Sequence, residues 1–384
     1  MVLGEVDLST DPIEVDNTIN AVERDGGVEI SGTATPGLTV TVELGDASHT
    51  VIADGSGNWT TTFEAHEVPT GTATLPITAS ISDTAGNTQS VSGTVELDTV
   101  VDNLGIVSSQ TADDIINAAE MDDGFELSGT SEPESTIQVD LEGKIYTMVA
   151  DAAGNWSVQV EAGDLAQGTY TANAEITATD IAGNIETFNE TFQVDTEVDA
   201  PNIDSVTYTG EDVRRISTFS ATDEATVSTF QNDGAVRTPS YSESTDPVFG
   251  TEFTFDTPVF DGTHLVISST DVAGNESGTL VVLDDNATNA GTIDNPGLIN
   301  FDISALELDY ASDTNIVLTE AQIQSLTGPD DALAIHGGAD DTVTVAGAVQ
   351  TSQVVEMNGQ NYNVYTVGDT GTSLMIEQDI TVII

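Results

Sequence analysis

Apolar and polar residues alternate with a period of two along most of the chain. The runs "TVTVEL" (Thr39–Leu44), "WTTTF" (Trp59–Phe63), "LPITASIS" (Leu75–Ser82) and "SVSGTVEL" (Ser90–Leu97) read as half-buried strands, because successive side chains of a strand point to opposite faces. Turns rich in Gly, Asp, Asn and Pro interrupt them at intervals of about 8–12 residues, the spacing of an all-β fold. One stretch breaks the pattern. "LTEAQIQSLTG" (Leu318–Gly328) predicts a helix with Thr319 as N-cap, Gln322 completing a capping box, Leu318 stapling the entry and Gly328 ending it. Strand-like runs follow it: "ALAIHG", "DTVTVAG", "QVVEMNGQNYNVYTVG" with an Asn-Gly hairpin signal, and "TSLMIEQDITVII".

The pattern repeats. "ISGTATPGLTVTVEL" (Ile30–Leu44) aligns with "LSGTSEPESTIQVDL" (Leu127–Leu141) at an offset of 127 − 30 = 97. The same offset carries Trp59 to Trp156, Asp54 to Asp151, Asp83 to Asp180, Asp98 to Asp195, Asn20 to Asn117 and Glu23 to Glu120. A third, shorter copy keeps "SATDEATV" and "DVAGN" but has no Trp. Copies of this length with about seven strands predict immunoglobulin-like β-sandwiches. The expected architecture is mainly β: sandwiches over 1–99, 100–198 and 199–289 in an extended row, then a small α+β module over 290–384. Trp59 and Trp156, after equivalent turns, are expected between the sheets of their sandwiches.

Charge changes the picture. The chain has 66 acidic residues against five Lys and Arg, a formal net charge of −61. Nucleic acid and anionic membrane surfaces are recognised through Lys/Arg clusters, so both are excluded as partners. A composition 38% hydrophobic and patterned into strands argues for a folded chain rather than a disordered one. A fold this acidic needs counter-ions, and hard divalent cations suit carboxylate oxygens. There is no cysteine, hence neither disulfides nor thiolate metal sites, and no apolar run long enough to span a membrane. The start lacks the basic and apolar regions of a secretory leader, and the strand-like run at the end reads as part of a longer protein.

The pattern "INAAE…LSGTSEP…VADAAGNWSV…TATDIAGN…FQVDT" resembles the bacterial Ig-like repeats of giant RTX adhesins, specifically over Glu5–Asp199 and more weakly over Ala200–Asp285. The terminal module is similar to a domain found near the C-terminal end of such adhesins. The resemblance implies a type I secreted, extracellular cell-surface protein, rigidified by Ca2+, that supports attachment or biofilm formation.

The turns "DTAGN" (Asp83–Asn87), "DIAGN" (Asp180–Asn184) and "DVAGN" (Asp271–Asn275) each precede the last strand of a copy. Sandwich topology puts them at the N-terminal pole, facing the preceding copy, and puts the end of the last strand at the opposite pole. One junction then gathers Asn20, Glu23, Asp98, Asp102 and Asp180. The next gathers Asn117, Glu120, Asp195, Asp199 and Asp271, and Asp83 is the corresponding candidate in copy one. Calcium takes six to eight such oxygen ligands. The alternative at each position is an Asp that caps its own turn and needs no metal.

Nothing predicts catalysis. His49, His66, His264 and His336 are scattered without zinc-site spacing, and neither a phosphate-binding Gly loop nor a nucleophile elbow occurs. Two non-enzymatic roles remain. The chain is an extender whose partners are calcium ions and neighbouring domains of the same long chain. Otherwise copy three or the terminal module is itself a receptor for a cell-surface sugar or protein. Tyr310, Tyr362 and Tyr365 are then its aromatic candidates, the last two being expected as strand core.

Overall fold

The alternating runs fold as strands where their period of two places them, and the protein is mainly β. The computed structural model describes residues 4–82, 84–107, 111, 113–219, 224–230, 235–246, 250–260, 262–327, 332–368 and 371–384. It divides into two units. The first takes Met1–Ile116, Glu120–Ala166 and Tyr170–Val194; the second takes Asn117–Ala119, Gln167–Thr169 and Asp195–Ile384.

In the first unit, copy one is a sandwich. Its three-stranded sheet has the order Val6–Leu8, Val28–Ala34, Asn58–Phe63. Its five-stranded sheet has the order Thr18–Ile19, Thr88–Asp98, Thr72–Ser82, Thr39–Leu44, Ala47–Ile52. Val40, Val42 and Leu44 of "TVTVEL" turn inward and join Val28, Ile30, Ile77 and Ala79 in the core, while the intervening residues stay on the outer face. Copy two repeats the arrangement in register: Thr136–Leu141 stands 136 − 39 = 97 residues from Thr39–Leu44, and the Lys144–Val149 hairpin partner follows at the same offset from Ala47–Ile52.

Both tryptophans are core, each 3% exposed. Their neighbours explain the repeated Ser-Gly-Thr. A Cβ on Gly129 would collide with the Trp156 ring on one side and the Gly105 carbonyl on the other, and Gly32 meets Trp59 and the Asp7 carbonyl in the same way. Only glycine lets the strand lie under the indole. The copies differ in one detail: Trp156 Nε1 donates to Thr130 O at 3.1 Å, whereas Trp59 Nε1 is buried without a partner among the described residues.

Two short helices were not expected: α1 (Ala21–Gly26) and α2 (Ala118–Asp123). Six residues make fewer than two turns, too few to leave a helical period. The start of α1 is set by a reciprocal capping box: Glu23 N donates to Asn20 Oδ1 and Asn20 N donates to Glu23 Oε2, both at 3.0 Å.

In the second unit, the four-stranded sheet of copy three (Ile203–Thr209, Asp212–Thr218, Gly250–Val259, Tyr241–Asp246) faces a sheet of nine. That larger sheet begins with Val236–Arg237, Glu224–Phe230, His264–Thr270 and Glu276–Val281. It continues without a break through Ile303–Glu307, Leu333–His336, Thr372–Glu377, Gln360–Val367 and Ala348–Met357. Copy three and the terminal module therefore share one sheet, and Phe230, Val266 and Leu280 share a core with Leu306, Ile335 and Ile376.

The terminal module is built from three strand–turn–strand rungs. Ile303–Glu307, Leu333–His336 and Thr372–Glu377 stack in parallel, and each is followed by a strand of a second parallel sheet: Asn315–Leu318, Thr342–Val345 and Thr381–Ile383. Helix α3 (Glu320–Thr327) leaves the first rung and buries Ile323 and Leu326 in that core. Its capping box forms as expected, with Thr319 N donating to Gln322 Oε1 at 3.1 Å; Gly328 lies outside the described residues. Tyr362 and Tyr365 are buried and Tyr310 is half-buried, so the first two offer no face to a ligand.

Candidate metal site at the DIAGN turn

The site in the first unit starts from the turn chemistry of Asp180–Asn184. Gly183 takes φ 91°, conformational space that favours glycine, and Asp180 Oδ1 accepts the Asn184 N–H at 2.8 Å to close the turn. The turn's Asn184 then reaches copy one. Its Oδ1 accepts the Ala21 N–H at the start of α1 at 2.8 Å, and its Nδ2 donates to Asp98 O at 2.9 Å and to Asp180 Oδ2 at 2.7 Å. Asn20 Nδ2 donates to Ala182 O at 3.0 Å. The repeated asparagine is the side chain that joins the two sandwiches.

These contacts bring Asp180 to the end of the last strand of copy one. Carboxylate oxygens of Asp98, Asp180 and Glu132 lie within 4.8 Å of one another, the one such group among the described residues. Asp180 is buried and the other two are half-buried. Burial, then the charges of Asp180 and Asp102, raise the Asp98 carboxyl above its ordinary range. Burial raises Glu132 as well, joined by the charges of Asp98, Asp180 and Asp102 and opposed by the Asp102 N–H, which donates to Glu132 Oε1 at 2.8 Å. Three desolvated like charges oppose folding unless a proton or a cation neutralises them. Oxygen donors at this separation suit a hard cation that accepts several carboxylates.

Of the expected residues, Asn20, Asp98, Asp102 and Asp180 come together here. Asp102 is exposed at the rim, its Oδ2 accepting from the Thr72 hydroxyl at 3.3 Å. Glu23 is engaged in the α1 capping box. Glu132 was not anticipated, though the copies carry a signal: its equivalent at 132 − 97 = 35 is Thr35.

The same contacts recur inside the second unit. Asn275 Oδ1 accepts the Ala118 N–H at 2.9 Å, and its Nδ2 donates to Asp195 O and to Asp271 Oδ2, both at 2.8 Å; Asn117 Nδ2 donates to Ala273 O at 2.9 Å. Asp195 Oδ1 accepts the Thr169 hydroxyl at 2.7 Å, and Asp199 is exposed with its carbonyl accepting from Ser269 Oγ at 3.2 Å. No third carboxylate completes a group with Asp195 and Asp271 among the described residues. Glu120 lies in the first turn of α2, in the first unit, and Asp83 lies outside the described residues.

Asn184→Ala strands the Ala21 N–H and the Asp98 carbonyl in a partly buried setting, which is expected to cost about 1–3 kcal/mol. The check is amide exchange at Ala21 and thermal melting. Native-like protection at Ala21 in the variant would show that Asn184 does not hold this contact.

Residues 107–196 match the family model of the bacterial Ig-like domain. No curated protein matches the chain. The chain is similar to a solved structure on host cell surface retention of a 1.5-MDa bacterial ice-binding adhesin, with 23% identity over 72% of this chain and 95% of that one and a TM-score of 0.40. It is also similar to a Ca2+-stabilised adhesin with which an Antarctic bacterium binds ice (23% identity, 98% of this chain, 100% of that one, TM-score 0.36). A bacterial immunoglobulin-like domain from the M. primoryensis ice-binding adhesin shares 35% identity over 23% of this chain and 92% of its own length, with a TM-score of 0.20.

Proposed function

We propose that the chain is a non-catalytic extender segment of a bacterial cell-surface adhesin, and that calcium stiffens the contact between its first two sandwiches. The observation that carries the reading is the Asp98–Glu132–Asp180 group: its carboxylates come from two consecutive copies, so one ion bound there ties both. Asn184 supplies a hydrogen-bonded frame, and the cation neutralises the charge that this frame concentrates. Support comes also from the Ig-like match over 107–196 and from the resemblance of both copies to adhesin repeats. Extracellular calcium-binding modules in general have Kd of about 10⁻⁴–10⁻³ M, so a site in that range fills where calcium is abundant. Holding a binding tip away from the cell for attachment or biofilm formation needs such stiffness and no chemistry.

The reading has a pH consequence. The folded Asp98 and Glu132 carboxyls titrate above their ordinary values of 3.8 and 4.5. Their contribution is thus fully present below about pH 4 and is lost as pH rises through the raised values. Calcium-free protein is expected to lose the stability these two carboxyls supply as pH rises from about 4 to about 7, and calcium to shrink the loss by replacing the proton. Because the whole chain is acidic, the comparison is made with the Asp98→Asn, Glu132→Gln double variant, which should lose less stability over the same interval. An identical loss in the variant would remove these two carboxyls from the effect.

A further inference from the structure

A row of buried titratable side chains crosses the terminal rungs. Register sets Leu265 opposite Val281, Val281 opposite Glu307, Glu307 opposite His336, and Glu377 opposite Tyr362. Ile335 pairs with Ile376, so His336 and Glu377 are the next residues along adjacent strands. Residues at one register of a sheet share a face. The row therefore begins as sandwich core, with Leu265 and Val281, and becomes polar at Glu307, His336, Glu377 and Tyr362. Glu307 and Glu377 are each 6% exposed and Tyr362 is fully buried. Glu307 Oε1 accepts the Asp309 N–H at 2.9 Å, Glu377 Oε2 accepts the Gly337 N–H at 3.2 Å, and the Tyr362 hydroxyl is hydrogen-bonded to His336 Nδ1.

We propose that this row is a proton-operated latch on the three rungs, which stay docked while Glu307 keeps its proton and loosen when it ionises. A buried carboxylate is costly unless it is paired with a cation, and the charged groups acting on Glu307 are Asp309 from its own turn, Glu377 from the third rung and Asp341 from the second. Around them stand Asp340 and Asp379 beside Asp309, and Tyr310, which also feels Asp204 and Tyr208 of copy three. His336 offers no positive charge to offset them, because burial pushes it down to about 4. Burial first, then those carboxylates, push Glu307 up to about 8.

The signs follow. Glu307's contribution is full below its unfolded value of 4.5 and is lost as pH rises to about 8. His336, depressed from 6.5 to about 4, gains stability for the fold over that interval, so the two offset each other until about pH 6.5. Above it the loss remains, at Glu307 and in the same direction at Glu377 and Asp309, which burial also raises. Between about pH 7 and pH 9 the opening constant of the rungs should rise about tenfold.

Hydrogen exchange of the full chain, corrected for the intrinsic pH dependence, tests this on peptides covering Ile303–Glu307, Leu333–His336 and Thr372–Glu377. Protection there should fall about tenfold from pH 7 to pH 9, and Glu307→Gln, which cannot ionise, should lessen the fall. A flat native profile, or a variant that falls as the native protein does, overturns the proposal. Should the variant not fold, carboxyl NMR titration of the native chain decides. A glutamate with a midpoint near 8 supports the latch, and a full set of midpoints near the ordinary 4.5 overturns it.

Discussion

Replacing Trp156 by alanine is expected to destabilise copy two by about 3–5 kcal/mol, the cost of emptying a core aromatic site. The indole is 3% exposed and packs in one cluster with Leu127, Ile137, Val139 and Ala178. The strand beneath it has no side chain to move into the space, because Gly129 lies against the ring. The substitution also strands the Thr130 carbonyl that accepts the indole N–H. Trp59→Ala should cost slightly less, since its Nε1 has no partner to lose among the described residues. Hydrogen exchange resolved by peptide reads each copy separately, which a single melting curve of several sandwiches does not. Unchanged protection across Phe125–Thr130 in Trp156→Ala would place the core elsewhere.

Much of this was legible because strand alternation fixes a face. The buried positions of Val40, Val42 and Leu44, the two tryptophans and the capping box at Thr319 all follow from local residues. The position of Asp180 was legible one step further, since the antiparallel order of the last two strands sends the turn to the pole where Asp98 arrives. Alternation does not name a strand's partner. The parallel pairing of Glu276–Val281 with Ile303–Glu307 joins residues that no hairpin connects, so the nine-stranded sheet left no local trace. Glu132 lies outside what the two copies share, since Thr35 stands at the equivalent position of copy one. The side-chain role of Asn184 depends on a neighbour far away in sequence.

Calcium binding at Asp98, Glu132 and Asp180 carries the other large expected effect. An ion that binds the folded state alone stabilises it by RT ln(1 + [L]/Kd), about 2.7 kcal/mol at a hundredfold excess over Kd. The gain should be confined to a site whose carboxylates are already gathered and desolvated, because the cost of bringing them together is met by the Asn184 hydrogen bonds. The most direct measurement is the melting of the native chain and of the Asp98→Asn, Glu132→Gln variant, each with chelator and with millimolar calcium. The native protein should melt higher with calcium, and the variant should show a smaller shift, with the missing part appearing in hydrogen exchange around Asp180–Asn184. Superimposable native curves with and without calcium, or an equal rise in native and variant proteins, would contradict a calcium site at this junction.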